Sequence, residues 1–79
     1  MSTYYEAVYK VCEPSFGEAT KLFLDRQIRK HLKKPPQEVA PADRQELAKW
    51  IRISAALLLD KDSAEILARR VVSVADEAP

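Results

Sequence analysis

The chain has 79 residues, enough for one domain and too few for two, with 47% hydrophobic and 32% charged residues. Thirteen cationic and twelve anionic side chains leave a net charge of +1, which gives no overall attraction to nucleic acid or to an anionic membrane. One cysteine excludes an internal disulfide. The Met1 to Glu6 start has neither a basic head nor an apolar signal core, so an intracellular, cytoplasmic protein is expected.

A single glycine and five prolines argue for helices cut by prolines, and the apolar residues between them recur at helical spacing. The expected fold is all-α: a compact four-helix domain over residues 1–79, with helices near 3–12, 16–33, 41–59 and 62–77. In the first, Thr3 and Glu6 have capping-box spacing, and Tyr4, Val8 and Cys12 form an apolar row. The alternation of Tyr5, Ala7, Tyr9 and Val11 offers a strand as the competitor. Pro14 to Gly17 reads as a turn.

In the second segment Phe16, Thr20, Phe23, Leu24, Ile28 and Leu32 share a stripe, and Pro35 and Pro36 stop the helix. Val39 is the one large apolar anchor of the proline-bounded connection that follows. Pro41 suits the first turn of the third helix, where Asp43 and Glu46 favour the dipole. That helix places Leu47, Trp50, Ile51, Ser54, Leu57 and Leu58 on one stripe, with Trp50 expected at the centre of the core. Asp62, followed by Glu65, is the expected cap of the last helix. Its stripe holds Ala64, Leu67, Ala68, Val71, Val74 and Ala75, and its valine-rich end propagates a helix poorly.

Catalytic signatures are missing. His31 and Cys12 are each the sole residue of their type, so no spaced pair of metal ligands exists, and His31 reads as a core-edge side chain. Cys12 lies on an apolar row beside Glu13, a setting that keeps a thiol protonated and structural. No serine has a glycine-flanked elbow, and one glycine cannot write a dinucleotide or phosphate loop. No cofactor, metal or catalytic residue is expected, and the chain reads as a non-enzyme.

Two surfaces stand out. From Lys21 to Lys34 there are six cations and one anion, and Arg26, Arg29, Lys30 and Lys33 fall on one flank about 100° wide. Residues 35–79 carry six cations against eight anions, so the molecule is dipolar. The third and fourth helices hold apolar residues off their main stripes, notably Ile53 and Ile66, and a helix apolar nearly all round implies burial on more than one side. These six residues are the candidate partner-binding positions. The partner is expected to be another protein or a second copy in a homodimer; a small nucleic-acid-binding protein using the basic flank is the alternative. No membrane association is expected.

The run Cys12-Glu13-Pro14-Ser15-Phe16-Gly17-Glu18-Ala19, with Arg26 beyond it, resembles small helical modules accompanying bacterial signalling proteins. Those modules have a glycine turn after an apolar helix, then an alanine and an arginine on the next. The resemblance spans residues 4–32 and departs where Glu18, not proline, follows the glycine. It implies an accessory or regulatory interaction module and carries over no catalytic residue.

Overall fold

The computed structural model describes residues 3–76, of which 91% are helical, with no strand among them. The elements are α1 (Thr3–Phe16), α2 (Thr20–Gln27), α3 (Arg44–Leu58) and α4 (Lys61–Ser73). In place of four continuous helices there are three of thirteen to fifteen residues and a short second one. The expected helix over 16–33 contains only eight α-helical residues, preceded by a 3-10 turn (Gly17–Ala19) and followed by a five-residue π turn (Ile28–Leu32). Lys33 ends it in the left-handed conformation, at φ 59°.

The first segment is helix and not strand, because Tyr4, Val8, Val11 and Cys12 are all buried on one side of it. It runs four residues past its expected end, through Pro14. Pro14 forfeits the bond to the Lys10 carbonyl and its ring crowds that oxygen, but so near the end of α1 the cost is confined to the last turn. The stop comes instead from Gly17, whose φ of 56° only glycine adopts without strain. The Thr20 hydroxyl donates to the Gly17 carbonyl at 2.6 Å and restarts the chain into α2. Thr3 already lies inside α1, and the residue before it falls outside the described residues, as does the last residue of the expected 62–77 helix.

Pro41 opens a 3-10 turn (Pro41–Asp43) that leads into α3. The Asp43 carboxylate closes the turn by accepting from the Ala40 N–H at 2.9 Å and from Lys34 Nζ at 3.0 Å. The cap of α4 is Asp60, not Asp62. Asp60 has the extended backbone a cap requires (φ −82°, ψ 165°) and accepts from the Ser63 N–H at 3.2 Å, while Asp62 is already in the first helical turn. At the far end the run of β-branched residues passes into a 3-10 turn, Val74–Asp76.

The helices close a ring in which α1 and α3 each pack on α2 and α4. The Tyr4 hydroxyl donates to the Val71 carbonyl at 2.9 Å, joining the start of α1 to the end of α4 in antiparallel order. Up-and-down order gathers the end of α1, the start of α2, the end of α3 and the start of α4 at one pole of the molecule. The core holds Tyr4, Val8, Leu24, Ile28, Leu47, Ile51 and Val71, with Val39 pinning the connection.

The stripe expected on α3 is rotated. Leu47, Ala48, Ile51 and Ala55 are buried, Trp50 and Ser54 are half-buried, and Leu57 and Leu58 are 84% and 66% exposed. The α3–α4 seam explains the shift, because Ala48 and Ala55 share the core with Ala64 and Ala68 of α4. Small side chains let two helix backbones approach closely, so the alanine side of α3 wins the interior and turns the tryptophan and leucines outward.

Candidate functional site

The basic flank rises from α2, where Thr20, Leu24, Gln27 and Ile28 face the core and leave the opposite side to solvent. Arg26, Arg29, Lys30 and Lys33 are all exposed. None of them has a carboxylate partner among the described residues, whereas Lys21 pairs with Asp25 at 2.6 Å and Lys34 with Asp43 at 3.0 Å. Arg26, Arg29 and Lys30 line one shallow groove of about 700 Å³ together with Leu22, Glu18, Lys21 and Asp25. Lys33 stands apart from it, because the π turn and the left-handed residue carry it beyond the regular helix.

Asp25 organises the inner edge of this flank. Its carboxylate accepts from the Tyr5 hydroxyl at 2.6 Å and from Lys21 at 2.6 Å, tying α2 to α1. Burial pushes the Tyr5 phenol above its ordinary range, and the hydrogen bond to Asp25 adds to the effect.

Ile53 and Ile66 are both exposed, at 40% and 59%. Ile66 lines a shallow groove between α4 and α1 with Val11, Pro14 and Ser15. Ile53 sits on the outer side of α3, about 100° round the helix from Ser54, which faces α2. The structure therefore places the two isoleucines on different faces. Leu57 and Leu58, beside the α3–α4 turn, and Leu22, 65% exposed on the basic flank, are the further uncovered apolar residues. Leu22 was legible in the sequence, since two residues from Leu24 lies about 200° round the helix. Leu58 carried no such signal, because its spacing matches the core row of Ile51 and Ala55 and only the end of the helix uncovers it.

Along α3, Trp50, Ile53 and Leu57 recur at i, i+3 and i+7 and form an outward row. Trp50 stacks on His31 at the end of the π turn, with ring centroids 3.8 Å apart and planes at 4°. Its indole N–H donates to Glu46 Oε1 at 3.2 Å, and Lys49 Nζ lies 5.0 Å from the ring centre. The Ser54 hydroxyl donates to Gln27 Oε1 at 2.9 Å one turn further along, giving the α2–α3 seam a polar contact beside the ring stack.

Cys12 is fully buried, and burial pushes its thiol up to about 12, which keeps it protonated at neutral pH. No group of three or more His, Cys, Asp or Glu among the described residues is placed to hold a metal ion. No helix among them is long and apolar enough to cross a membrane. No family model matches the chain, and no curated protein or solved structure matches it.

Proposed function

We propose that this chain is a non-enzymatic helical interaction module, acting in the cytoplasm as a regulatory or accessory protein and binding a second copy or another protein. One observation carries the reading: Leu57 and Leu58 stand 84% and 66% exposed beside a hairpin that buries Ala48, Ala55, Ala64 and Ala68 along with its larger core residues. Fully covering a leucine is worth about 1.5–3 kcal/mol, so two of them in one contact supply a useful share of binding energy. The outward Trp50–Ile53–Leu57 row extends this apolar surface along α3. The resemblance of residues 4–32 to accessory modules of bacterial signalling proteins fits the same reading.

A second reading rests on the four unpaired cations, Arg26, Arg29, Lys30 and Lys33, which suit a phosphate backbone. The two readings demand different physics. Duplex binding through four cations makes affinity fall with salt at a log–log slope of about −3 to −4. Light scattering of the protein alone across a salt series, beside a DNA and RNA binding assay on the same sample, separates them. The interaction reading expects association and no salt-steep nucleic-acid binding. Micromolar, salt-sensitive binding of nucleic acid by a monomer would overturn it in favour of the second.

A further inference from the structure

Two of this protein's exposed charged surfaces are complementary in sign. The first is the outer face of α2, where Arg26, Arg29 and Lys30 share a groove with the exposed Leu22. The second is the α3–α4 turn, where the exposed Leu57 and Leu58 are followed at once by Asp60 and Asp62, with Glu65 one turn on. Glu65 reaches only as far as Arg69, at 3.9 Å, and neither Asp60 nor Asp62 has a cation within ion-pair distance among the described residues. Each surface joins exposed leucine to an excess of one charge, and the two signs are opposite.

We infer that the α3–α4 turn of one copy docks on the outer face of α2 of a second copy, its carboxylates against Arg26, Arg29 and Lys30 and its leucines against Leu22. The inference rests on the interaction reading above and names the partner. The minor charges match as well. Lys61 stands between the turn's two aspartates, and the α2 groove includes Glu18 and Asp25 among its cations. A polyphosphate presents one sign only and meets those two carboxylates unfavourably, whereas a mixed-sign protein surface does not. A charge-matched contact of this kind sets partner choice and register, while the leucines supply the apolar burial. The two surfaces differ, so a two-fold axis uses the contact twice and any other arrangement propagates head to tail.

Charge reversal of the full chain tests the pairing. Arg29→Glu/Lys30→Glu makes the α2 face acidic, and Asp62→Lys/Glu65→Lys makes the turn basic; all four positions are exposed, and circular dichroism checks that both variants fold. Sedimentation velocity of wild-type protein is expected to show concentration-dependent association that weakens as salt rises. Each double variant alone is expected to lose about tenfold or more in self-affinity. A 1:1 mixture of the two is expected to associate again, because the basic turn of one now meets the acidic face of the other. Association untouched by either reversal would overturn the inference while sparing the interaction reading. A mixture no better than its components would also overturn it, as would wild-type protein monomeric at millimolar concentration. Salt-steep binding of nucleic acid lost only in the α2 variant would overturn both readings together.

Discussion

Within one hairpin the protein treats its apolar residues in opposite ways. Along the seam between α3 and α4, Ala48, Ala55, Ala64 and Ala68 are buried, while at the turn joining the same helices Leu57 and Leu58 stand 84% and 66% exposed. Stability alone favours the reverse, since an exposed leucine buries nothing and an alanine adds little area. The seam achieves its packing by close backbone approach, and under the proposed function the leucines left outside are the surface a partner would cover. The seam is where the protein is held together; the turn is where it is open to contact.

Breaking the seam should give the largest effect. Ile51 is fully buried between the alanine rows, and Ile51→Ala should cost about 3 kcal/mol from lost burial and the cavity left behind. A domain of this size has only about 5 kcal/mol in hand, so urea unfolding should show a collapsed or nearly collapsed transition. An unchanged midpoint would mean that α3 does not supply the centre of the core.

Alkali should open the same core from the α1 side. Tyr4 and Tyr5 are pushed above their ordinary 10.0, chiefly by burial, and the Cys12 thiol is pushed from 9.0 up to about 12 by the same cause. All three lose their protons more readily once unfolded. The contribution of Cys12 is therefore fully present below pH 9 and is lost as pH rises through 9 to about 12, while that of the two tyrosines is fully present below pH 10 and declines in stronger alkali. Tyrosinate absorbance should rise together with the loss of helical circular dichroism. Tyr4 and Tyr5 ionising near 10 in a protein that stays folded would contradict their burial.

Trp50 sharpens the comparison, because it belongs half to each region. It stacks on His31 and is half-buried, so Trp50→Ala should cost about 1 kcal/mol, well short of the roughly 3–5 kcal/mol typical of a fully buried aromatic. The variant should fold, with a modest drop in its urea midpoint. Complete unfolding would return Trp50 to the core.

The same residues show how much the sequence disclosed. Helix class followed from spacing and prolines, and the burial of Tyr4, Val8, Cys12, Ile51 and Val71 followed from their rows. Spacing could not orient α3, because Leu47 and Ile51 lie on both the expected and the observed stripe. Only the partner helix decides which flank joins them, and alanines carry little weight in a hydrophobic pattern. Pro14 misled in a similar way: it looks like a stop, yet in the last turn its disruption is local, and Gly17 does the stopping. The interruption of α2 by a π turn left no trace in the residue pattern and moved Lys33 off the flank it was expected to share. The cations themselves were legible as a run, but their lack of internal partners is a property of the fold.

The most direct test of the account is the double substitution Leu57→Lys/Leu58→Lys, measured at once for stability by urea unfolding and for self-association by sedimentation. Both residues are exposed in the folded chain, so the change in stability should stay within about 0.5 kcal/mol. Association of the wild type should be lost in the variant at every concentration at which the wild type shows it. A large loss of stability, or association that survives unchanged, would contradict the claim that these leucines are held outside the core for contact.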